Sequence, residues 1–93
     1  MKKETRGTIE KTLDRVAFGF EDKYIEAIQE ITTIGNKEEF LLGYILGYLR
    51  KLSEVIVLLE EEKITKTDEK EISKIILTRI PEIRKKLGQY LNK

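Results

Sequence analysis

Apolar residues recur at steps of three or four along most of the chain, and this spacing constrains the fold more than any other feature of the sequence. In the first third the series is Ile9, Leu13, Val16, Phe20, Tyr24, Ile28 and Ile31. Such spacing places the residues on one face of an amphipathic helix, so it predicts a helix over residues 8–33. Gly19 lies inside this stretch, and a division into two shorter helices there is an open alternative. Because no long stretch alternates apolar and polar residues, an all-α fold is predicted.

Capping signals predict where the later helices begin. Asn36 with Glu39 three residues later predicts the start of a second helix that runs to about Glu62. Thr67, followed by several acidic residues, is predicted to cap a third helix. Beyond it, one apolar face continues across Pro81, which either kinks a single helix or separates two; the preference of proline for the first helical turn favours two. The residues of that face are Ile72, Ile76, Ile80, Ile83, Leu87 and Leu91.

These patterns together predict the domain organisation. Residues 1–93 are expected to form a single domain, a small antiparallel helical bundle of three to four helices, with residues 1–7 as a flexible N-terminal segment. A chain of this length buries a limited share of its surface, so oligomerisation would supplement its stability.

The residue types that are absent from the sequence exclude several kinds of chemistry. The chain contains no Cys, His or Trp, which excludes disulfides, thiolate or imidazole metal sites and acid–base catalysis by histidine. Carboxylates spaced by four, such as Glu10 and Asp14, are interpreted as a solvated helix face. We therefore predict a protein that is not an enzyme, with no catalytic residues, no metal and no cofactor. Charged residues make up 38% of the chain, with many Lys and Glu, a composition that predicts a hyperthermophilic archaeon or its virus as the source.

The stretch "FLLGYILGYL", residues 40–49, carries no charge. It is half as long as the roughly 20 apolar residues that a membrane-spanning helix requires, and Arg50 and Lys51 follow it directly. The basic start "MKKETRGTIEKT" lacks the apolar core of a signal peptide. A cytoplasmic protein without membrane association is therefore predicted.

The same stretch predicts an interface, because its apolar residues cover every side of the helix and a helix of this kind must be surrounded. Two glycines one turn apart would let another helix backbone approach closely. The favoured hypothesis is a homodimer formed through this helix; the alternative is an intramolecular crossing on the first helix with Gly19 opposite. This interface predicts the function of a small adaptor or assembly protein that acts through a homodimeric or partner-helix interface. The predicted interface residues are Phe40, Gly43, Tyr44, Gly47 and Tyr48.

Charge is unevenly distributed, which gives an alternative function. Residues 63–93 contain nine basic and four acidic side chains, a net charge of +5, whereas residues 36–62 contain three and six, a net charge of −3. Such asymmetry is typical of a surface that faces a polyanion, and it predicts a nucleic-acid-binding regulator as the alternative. The favoured interpretation is that the basic side chains complement the dipole of the last helix. The candidate nucleic-acid contacts are Lys74, Arg79, Arg84, Lys85 and Lys86.

Overall fold

The computed structural model describes residues 1–19, 26 and 36–91 of the chain. Within this part the regular elements are helices, and no strand is present, which confirms the all-α prediction. The second of these helices contacts the other three, and the first also contacts the last, so the helices form a bundle around the second. They are α1 (Lys3–Gly19), α2 (Lys37–Glu61), α3 (Lys66–Leu77) and α4 (Ile80–Leu91).

The apolar faces of all four helices meet in one hydrophobic core. Leu49, near the middle of α2, has no exposed surface, and Val16, Phe40 and Tyr90 pack against the core as partly buried residues. This burial is the main stabilising contribution, since an amphipathic helix gains little stability alone in water. Among the described residues, the buried apolar side chains are Ile9, Leu13, Leu41, Leu42, Ile45, Leu49, Val57, Ile72, Ile75, Ile76, Ile83 and Leu87.

The first helix begins earlier than the sequence predicted. α1 starts at Lys3 instead of Thr8, so most of the segment 1–7 that was expected to be flexible is helical. Thr5 explains the difference: it lies four residues before Ile9 and shares its buried face, with only 1% of its surface exposed. A threonine was not counted in the apolar series, although its methyl group can occupy such a position. The remainder of the helix predicted over 8–33 lies, after Gly19, largely outside the described residues.

Both ends of α2 follow the local signals in the sequence. The Asn36 side-chain carbonyl accepts a hydrogen bond from the Glu39 backbone N–H at 3.1 Å, which confirms Asn36 as the N-cap. α2 ends at Glu61, one residue before the predicted end. Glu62 follows in a left-handed conformation, with φ of 67°, and its N–H donates to the Leu58 carbonyl at 3.1 Å. This bond satisfies one of the carbonyls that a helix end leaves unpaired.

The prediction that Thr67 caps α3 was wrong, because Thr65 is the N-cap. The Thr65 hydroxyl accepts a hydrogen bond from the Asp68 N–H at 3.1 Å, and the Asp68 carboxylate accepts one from the Thr65 N–H at 3.0 Å. This capping box needs an acceptor three residues after the cap, a place that Asp68 fills for Thr65 and that Lys70 cannot fill for Thr67. The Met1 ammonium, which donates to Asp68 at 2.9 Å, and the Thr65 N–H hold the pKa of Asp68 below its usual value.

Removal of the Thr65 cap should be measurable as a loss of stability. Thr65→Ala is expected to lower the free energy of unfolding by about 1 kcal/mol, because the Asp68 N–H loses its acceptor. The matched change Thr67→Ala, two residues later on the exposed side of the same helix, should lower it by less than about 0.5 kcal/mol. Urea unfolding of the two variants measures the difference, and equal losses would contradict this capping assignment.

Pro81 separates two helices, as the favoured alternative predicted. α3 ends at Leu77 and α4 begins at Ile80, so the proline lies in the first turn of α4, where no intrahelical N–H is needed. The junction itself is closed by the Arg79 N–H, which donates to the Ile76 carbonyl at 2.9 Å. The break leaves the Arg79 side chain between the two helices, where it reaches α1.

Candidate functional site

The two sides of α2 have different surroundings. Leu41, Ile45 and Leu49 lie on the side that faces the other helices and are buried in the core. With 3.6 residues per turn, the opposite side carries a second set of residues, in which neighbours are one, three or four positions apart, and all of them are exposed. We call this side the outer face of α2; it consists of Gly43, Tyr44, Gly47, Tyr48, Lys51, Val55 and Leu58.

The glycines of the outer face are open. A Cβ atom built at Gly43 or at Gly47 has no atom within 4 Å outside its own helical turn. No helix in the described part of the chain therefore crosses α2 at these positions. The intramolecular crossing with Gly19 opposite is accordingly not made among the described residues.

Large apolar and aromatic side chains accompany the glycines. Tyr44, Tyr48 and Leu58 each expose 47% of their surface, and Val55 exposes 39%. Phe40, the remaining predicted interface residue, is partly buried and packs against the core, so it belongs to the core edge more than to the outer face. The structure therefore places four of the five predicted interface residues on one exposed side of α2.

Val55 and Leu58 are part of this face and were not predicted from the sequence. The signal was present, because Tyr44, Tyr48, Lys51, Val55 and Leu58 alternate steps of four and three, the repeat of a helix seam. It was obscured by the neighbouring apolar residues that serve the core on the other side of the same helix.

Arg79, one of the candidate nucleic-acid contacts, is committed to internal bonds. Its guanidinium lies 2.8 Å from the Asp14 carboxylate and donates to the Ile75 carbonyl at 3.1 Å. Its side chain is only 12% exposed. Arg79 therefore connects α1 to the junction between α3 and α4 and does not join a basic surface.

The other basic residues of this group differ in their surroundings. Arg84 donates to the Glu39 carboxylate at 2.5 Å, and this hydrogen bond holds the pKa of Glu39 below its usual value. Lys85 is exposed and Lys86 is partly buried; consecutive residues of a helix point about 100° apart, so these side chains diverge. Lys74 is exposed on a different helix, α3. Of the five predicted contacts, Arg79 and Arg84 are thus engaged in ion pairs within the bundle.

Two further properties follow from the described ranges 1–19, 26 and 36–91. None of their carboxylates form a group of three or more that could hold a metal ion. In the same ranges, every helix is too short or too polar to cross a lipid bilayer.

Comparisons of the chain with protein-family models, with curated proteins and with solved structures found no match in any of the three. A functional assignment therefore depends on the outer face of α2 and on the charged side chains of the neighbouring helices.

Proposed function

We propose that this protein is a small adaptor or assembly protein, not an enzyme, that forms a homodimer through the outer face of α2. The observation that carries the proposal is the open position of Gly43 and Gly47 beside exposed tyrosine, valine and leucine side chains. Exposed apolar and aromatic side chains that lie together on one side of a helix are typical of an interaction site. A second copy that covered the outer face would bury these side chains. It would also supply the missing neighbour of α2, a helix with apolar residues on every side.

The charges around the outer face support a second copy of the chain as the occupant. Lys51 lies within the face, and Glu54 lies beside it, three residues further along α2. A two-fold axis that places two α2 helices antiparallel, with Lys51 of each copy opposite Glu54 of the other, would put Gly47 of each copy opposite Leu58 of the other. Parallel copies would instead place the two lysines opposite each other, so the antiparallel dimer is favoured.

Gly47 would determine how closely two such helices approach. In the register that pairs Lys51 with Glu54, the Leu58 side chain of each copy would lie against the open backbone at Gly47 of the other, and each close contact adds dispersion attraction. A larger residue at Gly47 would hold the two helices apart.

Within one chain, we propose an antiparallel order in which α2 runs opposite to α1 and to α4. The Lys2 N–H, at the start of α1, donates to the Glu61 carboxylate at the end of α2 at 2.8 Å. At the other end, Arg84 of α4 pairs with Glu39 in the first turn of α2. The first contact joins opposite ends of α1 and α2, as an antiparallel pair requires. For α4, Ile80 lines a groove together with Leu46, whereas Arg84, four residues later, reaches Glu39, so α4 advances in the direction opposite to α2.

Substitution of Gly47 should prevent dimer formation without unfolding the single chain. Sedimentation equilibrium of the protein at micromolar concentrations should give twice the 10.9 kDa of one chain. Gly47→Leu should give the mass of one chain, because the leucine side chain would keep the two α2 helices apart. The variant should retain its helicity, since a Cβ at this position meets no atom and replacing a helical glycine gains up to about 1 kcal/mol of helix propensity.

Gly7→Leu is the matched control, because Gly7 lies on α1 and is equally open to an added Cβ. This variant should sediment as a dimer. A wild-type protein that sediments as a single chain would overturn the proposal, as would a Gly47→Leu variant that stays dimeric.

A further inference from the structure

Three lysines form a line along α3. Lys66, Lys70 and Lys74 are spaced by four, which places them on one side of the helix, and all three are exposed. With a rise of 1.5 Å per residue, the line is about 12 Å long. We call these three residues the lysine row.

The lysine row borders a shallow groove between α3 and α2, with a volume of about 460 Å³. Arg50 reaches the groove from α2, and its guanidinium donates to the Ser73 hydroxyl at 2.8 Å and to the Glu54 carboxylate at 3.1 Å. These two bonds hold the guanidinium in place at the wall of the groove. Glu69 is the acidic residue among the lining side chains, against four basic ones.

The lysine row forms no ion pair within the described part of the chain, and Glu69 is the nearby carboxylate among the groove's lining residues. The ion pairs of the described residues involve the ammonium of Met1 and the side chains of four arginines, and none includes a member of the lysine row. Like charges one helical turn apart repel each other and destabilise the helix that carries them. An anion bound along the groove would remove this repulsion, which is a physical reason to expect one.

We propose that the lysine row and Arg50 bind the sugar–phosphate backbone of a nucleic acid. Several positive charges in a line match a linear polyanion better than a single small anion. No aromatic side chain is among the groove's lining residues, so the contact is with phosphates and independent of base sequence. A membrane surface is disfavoured because Leu77 is the one large apolar side chain exposed on α3, too little for an inserted helix face.

This site differs from the basic cluster that the sequence predicted. The two share Lys74, whereas Arg79 and Arg84 are bonded to carboxylates elsewhere in the bundle. Its lining residues are not part of the outer face of α2, but Glu54, which bonds Arg50, is also the residue that the proposed dimer would pair with Lys51.

Fluorescence anisotropy with a labelled DNA duplex of mixed sequence tests the proposal. Binding should be detectable at low salt and should weaken as salt is added, because phosphate contacts release counterions. Changing all three lysines of the row to glutamate should weaken binding by about tenfold or more and should lower the salt dependence by about one unit of slope per lysine. The control variant carries the same change in charge at three exposed lysines that do not line the groove, Lys11→Glu, Lys37→Glu and Lys85→Glu.

The control should bind DNA more tightly than the lysine-row variant. Equal weakening of the two variants would overturn the proposal, because it would mean that only net charge matters. Absence of binding by the wild-type protein at low salt would overturn it too, as would binding to phosphatidylserine vesicles but not to DNA. If circular dichroism shows that the glutamate variant is unfolded, the three lysines are changed to glutamine, for which the same difference from a matched glutamine control is expected.

Discussion

Leu49→Ala is expected to lower the free energy of unfolding by about 3 kcal/mol, the middle of the range for a buried leucine. Leu49 has no exposed surface and lies on the core side of α2, the helix that contacts the other three. Removing its three terminal carbon atoms would lose apolar burial and leave a cavity. The surrounding helices can only partly close such a cavity, because the core is packed from several directions at once.

The same substitution ten residues later provides the control. Leu59 is also in α2, but 79% of its surface is exposed, so Leu59→Ala should change the free energy of unfolding by less than about 0.5 kcal/mol. Urea unfolding followed by circular dichroism measures both variants against the wild-type protein. Losses of similar size would show that the core is not placed as described.

Arg79→Met is expected to lower the free energy of unfolding by about 2 kcal/mol, the size typical of hydrogen bonds to a charged group. The guanidinium bonds the Asp14 carboxylate at 3.0 Å, the Ile75 carbonyl at 3.1 Å and the Glu10 carbonyl at 3.4 Å. Methionine would retain much of the apolar stem but none of these bonds. The expected loss is moderate because the Asp14 side chain is 47% exposed, and water screens that ion pair.

Arg6→Met tests whether any arginine on the bundle would have the same effect. Arg6 lies 3.5 Å from Glu10 on the surface of α1, and its side chain is 54% exposed. A surface pair of this kind contributes little, so the variant should stay within about 0.5 kcal/mol of the wild-type protein in urea unfolding. If Arg79→Met were equally mild, Arg79 would not be the connection between α1 and the α3–α4 junction.

The features that depend on neighbours in sequence could be predicted well. Asn36 is followed by a helix whose third residue has a backbone N–H within reach of its side chain, and this needs nothing beyond a few residues of chain. The division at Pro81 depends on the missing N–H of proline and is equally local. Thr65 was missed although its signal is also local, because the acceptor at Asp68 was counted as a helix-dipole charge and not as half of a capping box.

The sequence by itself determined three features: the all-α fold of the described residues, the start of α2, and the division of the last apolar series at Pro81. These could be predicted because helical periodicity and capping depend on only a few neighbouring residues. Only the tertiary structure decided which charged side chains are paired within the bundle and which apolar side chains stay exposed on its surface. Arg79 and Asp14 are 65 residues apart in sequence, and their pairing exists only because α1 packs beside the α3–α4 junction. In the same way, packing buries one side of α2 and leaves Gly43, Gly47 and Leu58 on the other side open to a partner.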